Sequence, residues 1–127
     1  MRFKIDTREK FHVITTKEPQ FAANMTAELD KCLQEVLENN VKNVVLNLQD
    51  IQMLDEAAAE YLVKIQQHFY EQNVSFVVCC LNPGVEEWLD KKGMLEVMNV
   101  TPTESEAWDV VQMEEIEREF LDEEENL

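Results

Sequence analysis

The spacing of hydrophobic positions changes several times along this chain, and each change marks a strand or a helix. Arg2–Asp6 and Phe11–Thr16 alternate apolar and polar residues on either side of a polar segment, which predicts an antiparallel hairpin. Val44–Leu48 and Val74–Leu81 are apolar runs of strand length, typical of strands buried on both faces. Glu96–Val100 predicts one more strand at the edge of the sheet.

Helices are predicted between these strands, where apolar residues recur every three or four positions. The predicted helices start near Ala22, at Asp55, after Asn82 and after Thr103. Asp55 suits an N-cap, because its carboxylate can accept hydrogen bonds from the unpaired N–H groups of the first helical turn. Thr103 and Glu106 have the spacing of a capping box, which predicts the start of the last helix.

The elements follow one another in the order β-β-α-β-α-β-α-β-α. A strand, a helix and a further strand in succession join parallel neighbours through a right-handed crossover. Only two glycines and three prolines interrupt 127 residues, of which 45% are hydrophobic. We therefore predict one α/β sandwich, with a mixed central sheet flanked by about four helices and an extended C-terminal helix.

The net charge of −16 narrows the range of partners. Such a charge repels phosphate backbones and anionic lipid surfaces. No segment is apolar over the length needed to span a bilayer. We expect the partner to be neither a nucleic acid nor a membrane.

The residues that could support catalysis are few and scattered. Cys32, Cys79 and Cys80 are odd in number and lack a CxxC spacing, so they predict neither a disulfide framework nor a metal site, and they suit the reducing cytoplasm. His12 and His68 lie in a predicted strand and a predicted helix, away from a nucleophile. With no glycine-rich phosphate loop either, we predict no enzymatic activity and no cofactor.

One acidic group lies near the carboxyl end of a central strand, where open α/β sheets place their sites. It consists of Asp50, Asp55 and Glu56, which could bind a hard cation. Asp55 and Glu56 already have a structural explanation at a helix start. A metal-dependent enzyme is therefore the third alternative, and no metal is predicted.

Residues 44–58 read VVLNLQDIQMLDEAA, which resembles the sulfate transporter and anti-sigma factor antagonist (STAS) domain, where this segment is approximately VVLDLS-x-V-x-F-[IM]-D-S-[ST]-G. Asn82-Pro83, Trp88-Leu89 and Gly93-Met94-Leu95 resemble a later segment of that family. The resemblance implies a STAS-like domain over residues 1–112. Residues 113–127 are then an acidic, amphipathic helical extension.

The family resemblance implies a bacterial regulatory module that binds a protein, such as an anti-sigma factor or a switch kinase. The implied binding surface consists of Met53, Asp55, Glu56, Ala57, Ala58, Glu60 and Tyr61. The family's phosphorylated serine or threonine falls at Ala57, which has no hydroxyl group. The alternative is a STAS-type sensor of a small molecule or nucleotide, which would need a pocket beside the loop 48–55.

Two interpretations of Ala57 predict opposite behaviour toward a partner that distinguishes a phosphorylated surface from an unphosphorylated one. In the first, which we favour, the module is permanently unmodified and always able to bind. In the second, Asp55 and Glu56 supply a fixed negative charge that imitates the phosphorylated state.

The extension has apolar residues at helical spacing among glutamates: Met113, Ile116, Phe120 and Leu121. We favour the interpretation that this stripe packs on the domain's own sheet. The alternative is a contact with a partner or with a second copy in a homodimer.

Overall fold

The structure, a computed structural model, describes residues 1–125, with side chains described as far as residue 121. Its strands are β1 (Phe3–Thr7), β2 (Phe11–Thr16), β3 (Gln20–Phe21), β4 (Asn43–Asn47), β5 (Met53–Leu54), β6 (Phe76–Cys79) and β7 (Val100–Thr101). Its helices are α1 (Thr26–Val36), α2 (Glu56–Glu71), α3 (Pro83–Lys91) and α4 (Glu104–Glu125). The element order confirms the predicted α/β sandwich.

Five strands form the main sheet in the order β1-β2-β4-β6-β7. β1 and β2 pair antiparallel with Ile5 opposite Ile14, which confirms the predicted hairpin. All other neighbours are parallel, so the sheet is mixed. In β4, Val44, Val45 and Leu46 have no exposed surface, as expected of a central strand covered on both faces.

The two faces of the sheet are covered unequally. Val44 and Leu46 point to the larger core, which the helices α1, α2 and α3 complete with residues such as Leu33 and Leu62. Val45 points to a smaller core on the opposite face, where α4 contributes Ala107 and Val111. Because alternate strand residues face opposite sides, one strand serves both cores.

The predicted edge strand Glu96–Val100 is wrong in its extent. A 3-10 turn, Leu95–Val97, occupies most of that segment, and β7 contains only Val100 and Thr101. The side chain of Gln66 on α2 donates to the carbonyl of Val97 and accepts from the backbone N–H of Asn99. These bonds satisfy backbone groups that would otherwise extend the sheet ladder.

The expectation that the apolar stripe of the extension packs on its own sheet is also wrong. α4 continues without a break past residue 112. Its large apolar side chains remain mostly exposed, at 60% for Met113, 65% for Ile116, 60% for Phe120 and 57% for Leu121. The residues that face the domain are instead polar, among them Glu115 and Arg118.

Candidate functional site

The start of α2 is fixed by Asp55. One carboxylate oxygen, Oδ1, accepts a hydrogen bond from the backbone N–H of Ala58 at 2.8 Å, which confirms the predicted N-cap. The other, Oδ2, accepts from the backbone N–H of Ala23 at 3.0 Å, just ahead of α1. Asp55 therefore joins the starts of two helices, and both of its oxygens have partners.

A small second sheet holds the loop between β4 and α2. β5 pairs parallel with β3, with Gln20 opposite Met53. The carbonyl oxygen of Pro19 also accepts hydrogen bonds from the N–H groups of Gln52 and Met53. On the other side of the loop, the Asn82 side chain donates to the carbonyl of Ile51 rather than capping its own helix. The loop is thus anchored on both sides.

The residues of the expected binding surface differ in exposure. Met53 is 65% exposed, and Asp55, Glu56, Ala57 and Glu60 are also exposed. Ala58, however, is completely buried and packs beneath this surface. The first turn of α2 therefore exposes the methyl group of Ala57 next to Glu56, and Met53 is exposed on the strand that precedes the helix.

Tyr61 is partly buried on the next turn of α2. Its hydroxyl donates a hydrogen bond to Oδ1 of Asp30 on α1, at 2.9 Å. Burial, together with this bond and the Asp30 charge, raises the pKa of Tyr61 well above its ordinary value. Tyr61 is therefore neutral at physiological pH and links α2 to α1.

A groove beside Met53 is a feature that the sequence did not reveal. It has a volume of about 270 Å³ and lies between the loop and α3, lined mostly by Met53, Leu54, Val85 and Trp88. Trp88 is partly buried, and the ammonium group of Lys92 lies 5.8 Å from its ring centre. An apolar pattern on α3 was visible in the sequence, but its position against residues 52–54 depends on the fold.

The acidic group considered for metal binding does not converge. Asp55 uses both oxygens for backbone N–H groups, and Asp50 lies 3.8 Å from the ammonium group of Lys17. Within the described part of the chain, no three histidine, cysteine or acidic side chains are placed to hold a metal ion. The geometry gives the metal alternative no support.

The histidines and cysteines have structural surroundings. The ring of His12 is buried and hydrogen-bonds the Thr7 hydroxyl and the Val41 carbonyl. Burial raises the pKa values of the Cys32 and Cys79 thiols, with a further contribution from Cys80 at the second. Both thiols are therefore protonated at neutral pH, the unreactive form of cysteine.

No helix in the described residues is long and apolar enough to cross a membrane. A family model for the STAS domain matches residues 2–107, which is most of the chain.

Solved structures have the same fold. An anti-sigma factor antagonist from Mycobacterium paratuberculosis aligns with a TM-score of 0.72 and 15% identity, over 87% of this chain and 93% of that one. A serine-to-glutamate variant of RsbS from Moorella thermoacetica aligns with a TM-score of 0.72 and 18% identity, over 88% of this chain and 96% of that one. Phosphorylated SpoIIAA, a Bacillus cell fate determinant, aligns with a TM-score of 0.63 and 13% identity, over 87% of this chain and 99% of that one. Because the STAS family model covers residues 2–107, the chain belongs to the STAS domain family.

Proposed function

We propose that this protein is a non-catalytic regulatory module that binds another protein through the loop 52–55 and the first turns of α2, as an anti-sigma factor antagonist would. The observation that supports this most strongly is the exposed, rigid turn at Asp55–Ala57 with Met53 projecting beside it. A surface that is already ordered loses little conformational entropy when a partner binds. The proposed partner is an anti-sigma factor or a switch kinase.

The chemistry of the surface describes what the partner should offer. Met53 and the adjoining groove are apolar, while Glu56 and Glu60 lie exposed on α2. A partner with an apolar side chain to fill the groove and basic groups opposite the carboxylates would complement it. Met53 would supply most of the affinity, because buried apolar contacts at the centre of an interface dominate its energy.

The proposed module has no phosphorylation switch at the family position. SpoIIAA, which shares the fold, was solved in a phosphorylated form. From the resemblance of residues 44–58 to the family pattern, we infer that the family's phosphorylated position falls at Ala57, which has no hydroxyl group to accept a phosphoryl group. Glu56 lies in the first turn of α2, where the helix dipole favours a negative charge whatever the partner. We favour a module that is permanently unmodified and always able to bind.

The groove beside Met53 favours a protein partner over a small molecule. Its volume of about 270 Å³ is comparable to the lower end of the roughly 300–1,000 Å³ typical of ligand pockets, so its chemistry rather than its size is informative. Its lining is mainly apolar, whereas a nucleotide needs several fixed polar groups for orientation. The groove suits one apolar side chain of a protein better than a free ligand.

The test uses affinity capture from native cell extract with quantitative mass spectrometry, followed by binary affinity measurements. The baits are the full-length wild type, Met53→Asp, and Val97→Asp as a control that is 55% exposed elsewhere on the surface. We expect one specific protein to be retained by wild type and the control, and to bind Met53→Asp at least about tenfold more weakly. A set of captured proteins unchanged by Met53→Asp would refute the proposed surface.

Glu56→Gln separates the two interpretations of the missing phosphosite. In an unmodified module, removal of one exposed carboxylate changes the partner affinity by less than about fivefold. If Glu56 imitates a phosphate, the affinity changes by far more, because the imitated charge is gone. The same binary measurement decides between them.

A further inference from the structure

The C-terminal half of α4 turns its polar side toward the domain and its apolar side outward. Amphipathic helices at protein surfaces normally bury the apolar side and expose the polar side. Here Met113, Ile116 and Phe120, which we call the outer stripe, are each at least 60% exposed. Glu115 and Arg118 are partly buried against the domain.

Specific hydrogen bonds fix the rotation of α4 about its axis. The Glu114 carboxylate accepts from the Tyr70 hydroxyl at 2.7 Å. The Glu115 carboxylate accepts from the Asn43 amide at 2.7 Å, and the Arg118 guanidinium donates to the Ser75 hydroxyl at 2.8 Å. Closer to the N-terminus of α4, Ala107 and Val111 are completely buried on the same side of the helix.

This rotation places the outer stripe about 180° from the domain. Successive residues of an α-helix are separated by about 100°, so positions 113, 116 and 120 cluster on the side opposite 111, 115 and 118. The outer stripe could not reach the sheet without breaking the three polar attachments. Single exposed apolar residues are common, but three aligned on one helix face mark an interaction surface.

The charge around the outer stripe argues against a second copy of this chain as its partner. Residues 104–125 contain eleven acidic residues and one basic residue, Arg118. Pairing two such helices would bring like charges together, which is destabilising. An apolar groove on another protein, with basic groups along its rim, complements both the stripe and the charge that surrounds it.

We propose that the outer stripe docks into an apolar groove on another protein whose rim carries lysine and arginine side chains. This surface is separate from the one around Met53 and Ala57. α4 and α2 cover opposite faces of the sheet, so both surfaces can be occupied together. The protein would then join two partners, a function beyond the single interface proposed above.

The probe for this proposal is a designed helical peptide with a leucine stripe flanked by lysines, which reproduces the chemistry of the expected groove. Binding to the full-length protein is measured by calorimetry and by backbone NMR shifts. We expect shifts concentrated at residues 112–121, and affinity at least about tenfold weaker for Ile116→Ser/Phe120→Ser. The matched control, Val97→Ser, keeps wild-type affinity, because Val97 lies outside α4.

Two further peptides separate apolar docking from simple charge attraction. A scrambled peptide of the same composition has no leucine stripe, and a glutamate-flanked version has the wrong charge. We expect both to bind at least about tenfold more weakly. Equal binding of the scrambled peptide, or no effect of Ile116→Ser/Phe120→Ser, would overturn the proposal. So would a dimer in sedimentation experiments that this double variant dissociates, since the occupant would then be a second copy.

Discussion

Asp55 combines two structural roles that a sequence pattern treats as one. Its spacing before the apolar stripe of α2 predicts an N-cap, and the bond from Ala58 confirms it. The bond from Ala23, more than thirty residues away, has no local signal in the sequence. This second bond is what fixes the exposed turn at Ala57 relative to α1, so the rigidity of the proposed surface depends on a long-range contact.

Replacing Asp55 should destabilise the whole domain. Asp55→Ala removes the cap and leaves two backbone N–H groups without acceptors, so we expect a loss of about 1–3 kcal/mol in the free energy of unfolding. Asp55→Asn keeps one acceptor and should lose less. Urea unfolding followed by circular dichroism measures both. Glu60→Ala is the control, an exposed carboxylate on the same helix, and an equal loss there would contradict this role of Asp55.

The raised pKa values of the two tyrosines on α2 lead us to expect that the free energy of unfolding falls at alkaline pH. Burial, with the bond to Asp30, raises the pKa of Tyr61, and burial, with the bond to Glu114, raises that of Tyr70. Above about pH 10 the unfolded chain releases these protons while the folded protein keeps them. Unfolding therefore becomes easier as the pH rises through that value, and below it the stabilisation is fully present.

Tyr61→Phe should reduce this alkaline sensitivity. The variant has no hydroxyl proton to release, so its unfolding free energy should fall less steeply between pH 9.5 and 11 than that of wild type, by up to about 1.4 kcal/mol per pH unit. Comparing the two proteins at each pH removes the contribution of lysines and cysteines. Parallel curves would mean that Tyr61 titrates with its ordinary pKa in the folded state.

At the scale of whole elements, the sequence predicted what depends on local periodicity. β4 and α2 follow from an apolar run and from a stripe that begins at an N-cap. β3 and β5 were missed, because two-residue strands are too short to show any alternation. The edge strand was overextended because Gln66, on a distant helix, binds the backbone at 97 and 99.

α4 shows a different limit of sequence patterns. The spacing of Met113, Ile116 and Phe120 correctly indicates an apolar helix face, but spacing does not say which face meets the domain. That choice depends on Asn43, Tyr70 and Ser75, and their partners on α4 lie more than forty residues away. The exposure of the outer stripe and the groove beside Met53 could therefore be found only from the fold.

The whole molecule carries an excess of negative charge that its ion pairs do not neutralise. The chain has 27 acidic residues and 11 lysines and arginines, and pairs such as Arg8 with Asp6, Lys10 with Glu115 and Lys91 with Glu87 join side chains that are at least partly exposed. Exposed pairs each contribute at most about 1 kcal/mol. Repulsion among the remaining carboxylates should therefore oppose the compact state at low ionic strength.

Sodium chloride should stabilise this protein. Raising the salt from about 20 mM to about 500 mM shortens the screening length from roughly 20 Å to roughly 4 Å, which weakens long-range repulsion more than close ion pairs. We expect the urea midpoint to rise. The variant Glu117→Gln/Glu119→Gln removes two exposed charges from α4. Its urea midpoint should be higher than that of wild type at low salt and should rise less as salt is added. A midpoint that falls with salt would mean that ion pairs such as Lys10 with Glu115 stabilise the folded protein more than the repulsion among carboxylates destabilises it.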